Sequence, residues 1–554
     1  MMMKFKYLGF ALLTLGFISC ESDDMTDAPA PQQTVELTAG EADFSNYVAV
    51  GASFTAGVSD NAVFIAAQTN SFPNTLATQF AAVGGGDFNL PYVSDNVGGL
   101  LFGGNLVYPP RLYFDGAGPA VLEANPTTEL TNVFAGVVHN LGVPGAKSYH
   151  LSVPGYGDIA GVPLGTANPY FARMASSPSI TMLEQALATN PTFFTLSEMG
   201  GNDVLSYATS GGQGVDQTGN PDPTTYSSRD ITDPTVFTAS VTAAVDALTA
   251  NGAKGCLTTV PYVTSLPLFT TVPHAPLSPD ALGGAEQIQT LNTTFGALNA
   301  AFSGLGAADR SISFSETGPS AIVIFDKDLT DISEALTPAV LDVLETVNPG
   351  DPSNALTATL FGQQFGQARQ ATAADLVLLP ASGSIGTVNE DNYESVYDTV
   401  YGALVAAGLP EAEAAVQAAG LAGQLSVNGV TFPFADGGVL TEQETARVIT
   451  ATDAYNASVD AICTQYDLAK VDLRVILEGA SQSGIMFDDF MMTTQFVMGG
   501  LVRLDGVHFS ARGYALMANA FLEAIDDKYG SNFIEAGQRA YANDFPVQYS
   551  PELQ

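Results

Sequence analysis

The sequence predicts an α/β fold, a three-layer α/β/α sandwich around a parallel central sheet. Two observations carry the prediction and a third modifies it. The runs 47–50, 192–196 and 255–260 are short, apolar and rich in β-branched or aromatic residues, as in strands buried on both faces. Segments with helical apolar spacing alternate with them, and strand–helix–strand alternation means parallel strands with helices packed on the sheet. The alternation breaks after Pro261 and resumes near Glu442, so 266–440 reads as a large insertion or lid.

The first strand is Tyr47-Val48-Ala49-Val50, followed by Gly51, which can take a backbone conformation closed to other residues. Ser53 then stands at the sharp exit of that strand. Ser71 is placed to cap a helix with Pro73 in its first turn, Leu76, Phe80 and Val83 on one face, and 84–86 at its end. Residues 87–132 are rich in Gly, Pro and aromatics and read as an irregular, partly β insertion. A short apolar strand is expected over 133–138, and the loop 139–146 follows it. Met182, Leu183, Ala186 and Leu187 mark a helix that Asn190-Pro191 ends. The strand 192–196 runs into Glu198-Met199-Gly200-Gly201-Asn202-Asp203. A surface loop spans 210–233, faintly similar to a calcium loop at 216–222 but without the full ligand spacing. An amphipathic helix covers 234–251, and a strand holds Cys256.

Within the insertion, helices are expected over 284–302, 334–346 and 409–424, and strands over 321–325 and 375–379. The core resumes with a helix to about 465 and a strand at 471–473. The loop 504–510 precedes a last helix that Ser510 caps and Gly530 ends. The remaining 531–554 reads as a C-terminal tail.

Composition bounds the function. With 46% hydrophobic residues the chain can bury a large core. Its 57 acidic against 17 basic residues, a net charge of −40, argue against nucleic acid or an anionic membrane surface as partner. The first residues look like an address. Lys4 and Lys6 precede an uncharged stretch, 7–18, too short to span a bilayer, and then Phe17-Ile18-Ser19-Cys20. This resembles a bacterial lipoprotein signal peptide over 1–19, which implies lipidation of Cys20. The acidic Glu21-Ser22-Asp23-Asp24 resembles the surface-export signal of Bacteroidota lipoproteins, and 20–42 reads as a tether. The expected location is the outer membrane, facing the cell surface, with a periplasmic face as the alternative. Export allows a Cys256–Cys463 disulfide, while the apolar surroundings of both residues suit free thiols.

Four chemically suggestive stretches occur in order: GASFTAG with Ser53, NLGVPGAKS with Gly145, MGGNDV with Asn202, and Asp505-x-x-His508 in DGVHFSARGY. In a parallel sheet the carboxyl ends of the strands share one edge, where residues distant in sequence can meet. Each residue alone reads more simply as a turn or loop residue. Together they resemble four of the sequence blocks of the SGNH hydrolases, the GDSL esterase and lipase family, over 43–265 and 441–530. Ala52 departs from that family, which has Asp before the serine.

The resemblance implies a flavodoxin-like sandwich and a cofactor-free, metal-free serine esterase or lipase. Ser53 would be the nucleophile, His508 the base and Asp505 its orienting partner. Ser53 and Gly145 backbone N–H groups and the Asn202 amide would form the oxyanion hole. The expected partners are a small-molecule or polymer-borne ester and the membrane holding the lipid anchor. His139, His150 and His274 have no carboxylate at comparable spacing. The apolar stretch 484–500, with seven Met or Phe side chains at Met486, Phe487, Phe490, Met491, Met492, Phe496 and Met498, is a candidate acyl-pocket lining beside the simpler reading as core or lid packing. The alternative function is a catalytically inactive glycan- or lipid-binding surface lipoprotein on the same fold.

Overall fold

The computed structural model describes residues 35–351 and 353–554. The signal sequence, Cys20 and most of the tether lie outside the described residues. From Leu37 to Gln554 the chain forms one unit, a mixed α/β structure around five parallel strands: β1 (Tyr47–Gly51), β2 (Asn140–Gly142), β3 (Phe193–Ser197), β4 (Lys254–Thr258) and β5 (Ala469–Val471). Their order across the sheet is β5-β4-β3-β1-β2. Every residue of β1 and β3 is buried, so both faces are covered, which explains why these strands read as unbroken apolar runs. Register aligns Gly51 with Gly142 on one side and with Ser197 on the other. Three strands therefore end level, and the segments after them emerge along one edge.

Several expectations are corrected. The edge strand is not 133–138. Val133 and Val137 are exposed there, and the pairing falls on Asn140–Gly142 instead. Gly51 does not need a special backbone angle. A β-carbon at Gly51 would lie 2.0 Å from Thr55 Oγ1 and 2.8 Å from the Ser197 carbonyl, so close packing demands glycine. Ser71 precedes the helix Phe72–Phe80, but its buried hydroxyl makes no cap and finds no partner among the described residues. Residues 471–473 are not a strand: β5 stops at Val471, and Asp472 caps the helix Leu473–Gln482 by accepting from the Val475 N–H. The last helix, Ala511–Tyr529, is capped by Ser510 and closed by Gly530 as the sequence predicts.

Residues 531–554 are not a loose tail. Phe533, Ala540 and Ala542 join the main core. Arg111, fully buried, donates to the carbonyls of Ser550 and Leu553, and Arg503 donates to that of Val547. The segment 266–440 contains a second cluster of buried apolar side chains, including Ile288, Phe295, Phe302, Leu336 and Phe361. It also contributes Leu268, Phe269 and Leu378 to the main core. Two of its helices, Asn354–Phe365 and Glu390–Ala406, are not predicted from the sequence.

Cys256 and Cys463 are free and buried, and burial raises both thiols, Cys463 to about 12. Met486, Met491 and Met498 are mostly exposed around the hairpin Ile485–Phe487 and Phe490–Met492. Among the described residues no helix is long and apolar enough to cross a membrane.

Candidate active site

Ser53 opens the short helix Ser53–Ala56 two residues beyond the end of β1. A helix start leaves its first N–H groups without intrahelical partners. Here a buried carboxylate claims those on either side of Ser53: Glu198 Oε1 accepts from the N–H of Ala52 at 2.7 Å and of Thr55 at 2.9 Å, and Oε2 accepts from Thr55 Oγ1 at 3.1 Å. The Ser53 N–H makes no hydrogen bond among the described residues and stays available. Glu198 immediately follows β3 with φ 46°, a left-handed conformation that is costly for a non-glycine residue and persists where surrounding contacts over-determine it. Burial pushes its carboxyl up to about 7 against these hydrogen bonds. The sequence reading missed Glu198. Only its position directly after a strand, beside the GGND stretch, hints at it.

Asn202 lies in the first turn of the helix Gly201–Ala208, after β3. One of its amide hydrogens goes to the Ala146 carbonyl at 2.9 Å, leaving the other for a ligand. The next residue, Asp203, is fully buried and accepts from the Ser148 N–H at 2.9 Å and the Ser148 hydroxyl at 2.7 Å. Consecutive residues of one helix thus clamp the loop that carries Gly145. Gly145 is exposed and has φ 81°, which is the reason for glycine, because a β-carbon would meet nothing closer than 3.9 Å. Its N–H also makes no hydrogen bond among the described residues.

Asp505 and His508 meet as the spacing predicts. Asp505 Oδ2 pairs with His508 Nδ1 at 2.8 Å. Asp505 Oδ1 accepts from the N–H groups of Val507 at 2.9 Å and His508 at 2.8 Å, and Oδ2 also accepts from the Asn61 N–H at 2.7 Å. Burial works to raise this carboxyl. The charge of His508 and these hydrogen bonds outweigh burial and hold it well below the usual carboxylate range. The neighbouring turn fixes the loop: Asp60, pushed up to about 6 by burial despite its cation, pairs with buried Arg503 at 2.8 Å. Gly506, in the same loop, accepts from the Leu268 N–H at 3.1 Å, so the segment after Pro261 also holds it.

Two adjoining cavities meet here. A narrow apolar slot, with a volume of about 40 Å³, is lined by Ser53, Phe54, Glu198, Asn202 and Val507 among others. A wider groove of about 580 Å³ is lined by Asp505, His508, Asn202 and Val507, with walls from 112–119 and 378–382. Phe54 packs edge-on against the His508 ring at 5.8 Å. Ser53, Asn202, Asp505 and His508 thus share one junction, and Gly145 is tied to it through Asn202. Ser53 Oγ makes no hydrogen bond among the described residues, and the only ring hydrogen bond of His508 is to Asp505. No methionine of 484–500 lines either cavity, so that stretch is not an acyl-pocket lining.

Two of the other histidines have structural employment. His139 Nδ1 accepts from the Asn89 N–H, and His150, stacked on Tyr156, accepts from the Lys147 N–H. Burial, reinforced by Lys147, drives His150 down to about 3. In the loop 216–222, Asp216 and Asp222 accept from Thr218 and Thr224 as ordinary turn residues. Among the described residues no cluster of His, Cys, Asp or Glu has the makings of a metal site. No family model, curated protein or solved structure matches the chain.

Proposed function

We propose that this chain is a serine esterase of SGNH type, on a three-layer α/β/α sandwich, exported as a lipoprotein through Cys20 and displayed at the outer-membrane surface. The observation that carries the reading is the Asp505–His508 pair, 2.8 Å apart, at the junction that Ser53 and Asn202 also line. Ser53 Oγ attacks the ester carbonyl carbon. His508 Nε2 takes the hydroxyl proton and returns it to the departing alcohol oxygen, and Asp505 holds the ring and stabilises its charged form. The resulting acyl–Ser53 ester is then hydrolysed by water, with His508 again as base. The N–H groups of Ser53 and Gly145 and the free Asn202 amide hydrogen receive the oxyanion. Glu198 serves as a positioning residue. By occupying the N–H groups of Ala52 and Thr55 it holds the turn so that Ser53 projects its own, a task that Ala52 has no carboxylate to perform.

The test is hydrolysis of p-nitrophenyl esters by wild type and Ser53→Ala. Turnover by wild type that falls to background in the variant supports the reading. The alternative, a non-catalytic glycan- or lipid-binding protein, is favoured by one observation, that Ser53 Oγ lacks a hydrogen bond to His508. Catalytic hydrogen bonds are often loose without substrate and tighten when it binds. Absence of turnover on every ester, together with no reaction of Ser53 with a fluorophosphonate, supports the alternative.

A further inference from the structure

We infer that the concavity lined by the ends of the helices Pro267–Thr270 and Leu473–Gln482 and by the loop 493–496 binds an uncharged carbohydrate chain, at a site apart from the Ser53 junction. Its volume, about 660 Å³, is that of a ligand site. The chemistry of its lining carries the inference. Eight of the eleven lining residues bear a hydroxyl or an amide, and none is ionisable. A chain with 57 acidic residues has kept carboxylates out of this space, so a cation finds no partner there.

The hydroxyl protons are already committed. Thr270 Oγ1 donates to the Leu266 carbonyl at 3.2 Å, Thr271 Oγ1 to that of Pro267 at 2.6 Å, and Ser481 Oγ to that of Glu478 at 2.9 Å. Their oxygens are left as acceptors. The side-chain amides of Gln482 and Gln495, both exposed, make no hydrogen bond among the described residues and supply donors as well as acceptors. A ligand that satisfies such a set must bring several hydrogen donors without bringing charge. Lipid esters and polyethers only accept, whereas each sugar ring carries several hydroxyls. Phe496 adds an apolar surface against which the C–H face of a ring can pack. A strained turn presents it. Val497 has φ 66°, and around it the Met498 N–H donates to the Phe496 carbonyl at 2.8 Å, the rare form of γ-turn. A β-branched residue in this conformation is an outlier, and such strain clusters at ligand clamps.

Leu268 lines the catalytic groove, and Thr270 of the same short helix lines this site. A polymer held here is therefore kept beside the groove. The binding itself does not depend on the esterase reading; only the delivery of polymer-borne esters to Ser53 rests on it.

The experiment is affinity electrophoresis of the full chain through gels containing dextran, glucomannan, galactomannan, arabinoxylan or laminarin, with alginate as the charged comparison. Calorimetry then gives Kd for a retarding polymer and for an uncharged Gly/Ser/Gln peptide. At least one neutral polysaccharide should retard wild type and Ser53→Ala equally. Phe496→Ala and the double variant Gln482→Ala/Gln495→Ala should each weaken Kd about tenfold, with p-nitrophenyl acetate turnover unchanged. Both glutamines are exposed, so the double variant keeps the fold. Val475→Ala, exposed on the same helix as Gln482 but outside the site, should keep the wild-type Kd. Retardation by no neutral polysaccharide overturns the inference. So does retardation by alginate alone, binding of the peptide in place of a glycan, or an affinity that survives the double variant. Each of these leaves the esterase reading standing, because turnover and fluorophosphonate labelling of Ser53 are read separately on the same samples.

Discussion

Two carboxylates lie buried within the same site and behave in opposite ways. Asp505 sits under His508, and Glu198 sits under the Ser53 turn. Burial penalises the ionised form of each. Asp505 faces a ring that becomes a cation when it takes a proton, and it is held well below the ordinary range. Glu198 faces only neutral N–H and O–H donors, and it rises to about 7. At Glu198 hydrogen bonds from neutral donors offset burial only in part, whereas at Asp505 the charge of His508 together with its hydrogen bonds outweighs it. The same site thus holds one carboxylate suited to stabilising a transient imidazolium and another suited to bracing a turn.

The largest expected effect breaks the first half of this contrast. Asp505→Asn keeps the shape but loses the charge and favours the wrong ring tautomer, so kcat should fall by on the order of 10³–10⁴, read by steady-state ester hydrolysis. Asn202→Ala removes the proposed oxyanion donor and should cost about 10²–10³ in kcat with a much smaller change in KM. Glu198→Ala breaks the second half. It strands two backbone N–H groups in a buried site and should lower the unfolding free energy by about 3 kcal/mol, measured by urea denaturation.

Glu198→Gln sharpens the comparison through pH. The folded pKa of Glu198 is raised above its ordinary value near 4.5, so the stability it contributes is present below that value and is lost as pH rises through about 7. Wild type should therefore lose stability between those values with a slope of at most about 1.4 kcal/mol per pH unit from this group, and the variant should lack that component. Asp60, raised to about 6, adds the same sign in both proteins and cancels in the difference. Asp505 has the opposite sign: its folded value is depressed, so its contribution is present above its ordinary 3.8 and is lost as pH falls through the lower folded value. The smallest expected effect is that of a reductant: with both described cysteines free and buried, dithiothreitol should leave the melting temperature unchanged.

What was legible in the sequence differs across the site for physical reasons. β1, β3 and the Asp505–His508 loop are written locally, in buried apolar runs and in a spacing that one turn can satisfy. β2 is not, because Asn140–Gly142 are strand residues only by virtue of pairing with Ala49–Gly51, and the more apolar 133–138 drew the expectation away. Glu198 carries no local signature, since its partners Ala52 and Thr55 are more than 140 residues away. The slot is assembled from single apolar side chains after three strands, none distinguishable from core before the sheet brings them together. The conspicuous run of methionines at 486–498 is mostly exposed and plays no part in it.

The most direct test of the central claim is the intact mass, with peptide mapping, of wild type, Ser53→Ala and His508→Ala after reaction with a fluorophosphonate. The account predicts one adduct per wild-type chain, located on Ser53, none on Ser53→Ala, and strongly slowed labelling of His508→Ala. An unmodified wild type, or an adduct on another residue, would contradict it.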